Sequence, residues 1–137
     1  MTIDWSRTVS AEAKTSAALA AARAAAHATL ADRITAARAA MITTMPGQEM
    51  IYLAKEAEAK AWLADRAPAP ADYPLISAEV GITAPDAAAL VQIWLNMAAL
   101  WRGAAAQLEA LRLTTAAAIE AAGTVEAVAA AIAPTDI

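Results

Sequence analysis

ALAAARAAAHATLADRITAARAAM, residues Ala18–Met41, spends roughly six helical turns almost entirely on methyl groups. Only Leu19, Leu30, Ile34 and Met41 offer large apolar side chains there. Alanine is the strongest helix former, so local propensity alone predicts a long helix. A methyl face removes little area from water, however. At about 25 cal/mol per Å² such a helix is marginal by itself and must lie very close to a neighbour. Its apolar seam, Leu19, Ala26, Leu30, Ile34, Ala37 and Met41, is thin and calls for a thick seam that fills the space it leaves.

The thick seam lies later in the chain. Leu90, Trp94, Met97, Trp101, Ala104, Leu108, Leu111, Thr115 and Ile119 recur at spacings of four and three, a heptad-like pattern, with Ile93 and Leu100 widening one side. This predicts a helix over Ala84–Ala122, with Gly103 beside Ala104–Ala106 as a notch for close approach. The expected core is Leu30, Ile34, Met41, Leu90, Trp94, Met97, Trp101, Leu108, Leu111 and Ile119. The fold class is therefore all-α: a small helical bundle with a long Ala-rich N-terminal helix.

Punctuation places the remaining elements. In MTIDWSRTVS, Ile3, Trp5 and Val9 stand on alternating positions, which reads as an extended N-terminal arm over residues 1–9. Ser10 is a good N-cap, and Glu12 sits in the first turn, where the helix dipole favours an acid. Met45-Pro46-Gly47 ends this first helix near Thr44. A second helix fits Gln48–Asp65, with Glu56 and Lys60 at the favourable i,i+4 spacing. RAPAPADYP is a stiff connector, and Pro74 can open a short helix, Leu75–Val80, stopped by Gly81. Thr83 and Asp86 form a capping-box pattern before the long helix. Gly123 closes that helix, Thr124 caps a last one to about Ala133, and Pro134 ends it. The organisation expected is arm 1–9, Ala-rich helix 10–45, and a bundle over 46–137 packing against the C-terminal half of the first helix. Ala11–Ala28 then asks for another chain.

Composition narrows the function classes. Of 137 residues 60% are hydrophobic, and the mean hydropathy is +0.44; roughly a third are alanine, a helical-array bias. The uncharged window Ala87–Trp101 is shorter than the roughly 18 residues of a membrane span and contains Gln92 and Asn96, so no membrane partner is expected. No basic stretch followed by an apolar run opens the sequence, which argues for use in the cytoplasm or within a larger particle. Without cysteine there are no disulfides or thiolate nucleophiles. A net charge of -4 with scattered basic residues argues against nucleic acid.

No constellation for catalysis stands out. His27 has Arg23 and Thr29 nearby in sequence but no orienting acid, so it reads as a surface or interface histidine. One histidine and dispersed acids give no metal-ligand spacing. Glu56 and Glu58 point to different helix faces and read as solvated, ion-paired groups. No glycine-rich phosphate or nucleophile motif occurs. Trp94 and Trp101 lie seven apart on one seam, where core packing outweighs a ligand cradle. Trp5, in a polar arm, is open to docking or to intramolecular packing. No enzyme activity, cofactor or metal is expected. The candidate partner contacts are Ile3, Trp5, Val9, Leu19 and Arg23.

Four stretches carry a resemblance. IDWSRTVSAEAKTSAALAAARAAA (Ile3–Ala26) resembles a segment of tail proteins of phages and prophages of alphaproteobacteria, where a DWS-R-V-S/T-A-E run leads into an alanine-rich helix. IYLAKEAEAKAWLAD, DYPLISAEVGIT and LTTAAAIEAAGTVEAVAAAI are similar to the helical domain of phage tail-fibre and tail-fibre-assembly polypeptides. The shared features are K-E-x-x-A (Lys55, Glu56, Ala59), Y-P-L (Tyr73, Pro74, Leu75) and a closing A-x-T-x-x-x-V (Ala122, Thr124, Val128). The resemblance implies a non-enzymatic, tail-associated structural protein that links or decorates tail-tip or fibre components through its arm and Ala-rich helix. The alternative it implies is a tail-fibre assembly chaperone absent from the finished virion. Other phage tail proteins would be its partners, with homo-oligomers, trimers favoured, and Leu19 facing the axis. Its place would be the virion tail after assembly in the host cytoplasm. The family contributes no catalytic residues.

Overall fold

A computed structural model describes residues 1–2, 10–42 and 45–133. The chain is all-α, with helices α1 (Ala11–Met41), α2 (Gln48–Ala64), α3 (Pro74–Glu79), α4 (Ala87–Ala121) and α5 (Val125–Ile132), and a 3-10 turn over Pro70–Asp72. Ile3, Trp5 and Val9, the proposed end of α1 at Thr44 and the stop at Pro134 lie outside the described residues.

Most helix ends follow their punctuation. Ser10 Oγ accepts a hydrogen bond from Ala13 N at 3.1 Å, and Glu12 lies in the first turn of α1. Gly47 adopts a φ of 82° before α2, and Gly81 a φ of 85° after α3. Thr124 Oγ1 accepts from Ala127 N and starts α5. One cap is corrected. Asp86, not Thr83, receives the Ala89 amide at 2.8 Å, and α4 begins at Ala87. The Thr83 hydroxyl instead donates to Glu79 at 2.7 Å.

The helices divide into two compact units, residues 1–38 with 107–137, and residues 39–106. The sequence reading takes 46–137 as one bundle, whereas this division falls within α4. In the first unit α1 runs antiparallel to the end of α4: Arg23 reaches Ala122, His27 reaches Glu120 and Arg38 reaches Glu109. Ala26, Leu30, Ile34, Leu108, Ile119, Ala122 and Val128 form its core, and Leu19, Ala22 and Ala37 pack against them. Leu111 is half-buried. The small side chains of α1 thus face the chain's own α4 and α5 along most of the helix: Leu30, Ile34 and Ala37 in its C-terminal half, as expected, and Leu19, Ala22 and Ala26 before them. Leu19, expected at an oligomer axis, is partly buried against this core.

Arg23, expected as a partner contact, is engaged within the chain. It donates to the Ala122 carbonyl at 2.8 Å, while Arg33 donates to the Ile132 carbonyl at 2.5 Å. Neither α4 nor α5 carries a basic residue in its own last turn. Two α1 arginines therefore supply the positive charge and donors that these C-termini lack.

The second unit has its own core: Ala59 of α2, Tyr73, Ile76 of α3, Ala84, and Leu90, Val91 and Trp94 of α4. Three expected core residues are not in it. Met97 is 61% exposed, Trp101 46% and Met41 38%. The last described tie between α1 and α4 joins Arg38 to Glu109, and α1 stops at Met41. In an antiparallel pair, covering α4 further towards Met97 needs α1 residues beyond Met41, and Pro46–Gly47 breaks any such continuation. Of the seam on α4, Leu90, Trp94, Leu108, Thr115 and Ile119 are buried, whereas Met97 and Trp101 are exposed. Gly103 is no notch: a Cβ there would meet nothing within 4 Å.

Candidate functional site

His27 Nε2 and Glu120 Oε1 lie 2.6 Å apart, with side chains 36% and 62% exposed. Glu120 is the orienting acid that local sequence did not reveal, because it lies 93 residues away. The neighbouring Thr29 hydroxyl donates to the Ala25 carbonyl within its own helix, so it is not aligned as a nucleophile. Among the described residues, no three His, Asp or Glu side chains are grouped to hold a metal ion.

In the second unit Glu79 gathers the densest polar cluster. Lys55 forms an ion pair with it, and the Trp94 indole N–H and the Thr83 hydroxyl both donate to its Oε1. The Lys55 ammonium also stands 5.0 Å from the centre of the Trp94 ring, a cation–π arrangement. Burial pushes the Glu79 carboxyl up, but the hydrogen bonds from Lys55, Thr83 and Trp94 and the Lys55 charge together hold it below its ordinary value. It remains an anion at neutral pH and ties α2, α3 and α4 together.

Glu56 and Glu58 differ from the solvated pair expected. Glu56 is buried, held by Lys60 at 2.7 Å and by Arg102; the Lys60 hydrogen bond, then the Arg102 charge, lower its pKa against burial. Glu58 accepts the Ile76 amide at 2.8 Å and so satisfies a donor in the first turn of α3. Asp65 accepts from the Ala67 amide and from the Tyr73 hydroxyl at 2.7 Å. Those bonds lower the Asp65 pKa, and the Asp65 hydrogen bond with burial pushes Tyr73 up to about 12. Each cluster is a fastening between elements.

The surface feature that no fastening accounts for is apolar. Ile93 (37% exposed), Met97, Leu100 (76%) and Trp101 follow one another at steps of four, three and one on α4, which places them on one face. Every residue from Ala87 to Trp101 is uncharged. α2 meets α4 through Glu56 and Arg102, on a different side of the helix from this stripe. On α2 itself Met50 and Leu53 are also exposed. Trp101 is the largest side chain of this exposed apolar strip. A shallow open groove of about 390 Å³ lined by Ala11, Glu12, Thr15, Ser16, Leu19 and Gly123 brings no converging cations or hydrogen-bond donors beyond hydroxyls. No helix among the described residues is long and apolar enough to cross a membrane.

Of the partner contacts read from sequence, Leu19 and Arg23 serve the first unit's interior, while Ile3, Trp5 and Val9 are outside the described residues. Of the stripe, Met97 and Trp101 belong to the seam expected as core, and Ile93 and Leu100 to the side that widens it. The missing signal is the register of α1, fixed by side-chain hydrogen bonds between residues far apart in the chain. Comparison with known protein families, curated proteins and solved structures returns no match.

Proposed function

We propose that this chain is a non-enzymatic, tail-associated structural protein of a phage or prophage, assembled in the host cytoplasm and carried in the virion tail, where it joins other tail components. One observation supports the reading above others: the residues that carry the resemblance to tail modules are fold-holding residues. Lys55, Glu56 and Ala59 fasten and fill the α2 interface. Tyr73 is buried and bonded to Asp65, and Pro74 opens α3. Ala122 and Val128 are core residues, and Thr124 caps α5. A module whose recurring residues maintain a shape, with an apolar stripe left uncovered, suits a part that is built into an assembly.

The uncovered stripe also favours a second reading, a tail-fibre assembly chaperone that occupies apolar surface during assembly and then leaves. Mass spectrometry of purified particles separates the two. Stoichiometric presence supports the structural part; absence from particles, with fibres failing to assemble when the chain is deleted, supports the chaperone. Normal particles and normal infectivity after deletion reject both.

A further inference from the structure

We propose that two copies of this chain pair across the Ile93–Met97–Leu100–Trp101 stripe, with their α4 helices antiparallel about a two-fold axis at Met97. This relocates self-association from the Ala-rich helix, whose bulk is used internally, to the middle of α4. It does not depend on the tail reading.

Three features favour a second copy as the occupant. The first is charge. The protein carries a net charge of -4, so two copies repel wherever their acids meet. The run Ala87–Trp101 is the place where like meets like with no charge on either side, and the nearest charge after it, Arg102, is paired with Glu56 on another side of the helix. The second is symmetry. Ile93 and Trp101 each stand four residues from Met97, so an antiparallel two-fold sets Ile93 of one copy opposite Trp101 of the other, and Met97 against itself. Methionine adapts its shape and tolerates such self-contact. The third is area. The four side chains are 37%, 61%, 76% and 46% exposed, which together amounts to several hundred Å² per copy. A stable interface buries about 800 Å² per partner, so the stripe with its flanking alanines suits a small, reversible dimer rather than an obligate one.

The test uses the full chain. Sedimentation equilibrium over a wide concentration range is expected to show a monomer–dimer equilibrium with a dissociation constant in the micromolar range. Leu100→Glu, at an exposed site, should keep the helical circular dichroism and weaken the dimer at least about tenfold. Because the natural chain has no cysteine, Met97→Cys offers a single thiol on the proposed axis. Under oxidised glutathione it should give a disulfide-linked dimer, whereas Ala88→Cys, off the stripe on the same helix, should not. A wild type that stays monomeric at every concentration overturns the proposal. So does a trimer, a dimer unaffected by Leu100→Glu, or cross-linking that is equally efficient at both cysteines.

Discussion

Trp94 and Trp101 share one helix face, seven residues apart, yet the first is 6% exposed and the second 46%. The difference is what covers them. Trp94 meets Lys55 and Glu79 from α2 and α3, while Trp101 lies where α4 is bare. Trp94→Ala should therefore cost about 3–5 kcal/mol, and Trp101→Ala under about 1 kcal/mol, in urea denaturation of the dilute protein. Equal losses would mean that the middle of α4 is covered after all. Periodicity identified both rings as members of one apolar face, because it reads which side of a helix is apolar; it does not read which part of that side acquires a neighbour. A second test belongs to Tyr73. In a Tyr52→Phe background its phenol should titrate near 12, and Asp65→Asn should bring it down towards 10.0 in a spectrophotometric titration. An unchanged value would show that the Asp65 hydrogen bond is not the cause.

For the elements, the alanines of α1 are read by how closely its neighbours approach. Ala26 is 5% exposed and sits among Leu30, Leu108 and Ile119, whereas Ala24 is exposed. Ala26→Leu adds apolar area at little change in helix propensity, but no space is left for it. It should destabilise the protein by about 1–3 kcal/mol, while Ala24→Leu should be within about 0.5 kcal/mol of wild type. Thermal unfolding monitored by circular dichroism decides; stabilisation by Ala26→Leu would mean a looser contact than described. Helix extents and most caps were legible because each is encoded within four residues, as at Ser10, Pro74 and Thr124. The cap of α4 shows the limit. Thr83 and Asp86 both satisfy the local pattern, and Glu79, four residues before Thr83, claims its hydroxyl and leaves the capping to Asp86.

Over the whole molecule, Glu56, Asp65, Glu79 and Glu109 all have lowered pKa values, each from hydrogen bonds or cations gained on folding. A carboxyl whose folded pKa lies below its unfolded one contributes stability that is complete above the unfolded value and lost as pH falls through the folded value. Stability should thus be level from neutral pH down to about 5, then decline below the ordinary carboxyl values of 4.5 for glutamate and 3.8 for aspartate. Denaturant midpoints measured across that range check it, and Glu79→Gln should flatten part of the decline. A midpoint that rises on acidification would contradict the sign. The division into two units was the least legible property. It depends on pairs such as Arg38 with Glu109, and nothing in either local sequence specifies the partner.

The arginine ties from α1 to the ends of α4 and α5 also set a schedule. Arg23 precedes Ala122, and Arg33 precedes Ile132, by 99 residues each. At about 5–20 residues per second on the ribosome, α1 emerges some 5 to 20 s before the segments it must pack against. A bulky amphipathic helix held in that state would offer its apolar face to any passing chain. A helix built of alanine has the propensity to form early and too little exposed hydrocarbon to attract the wrong partner while it waits.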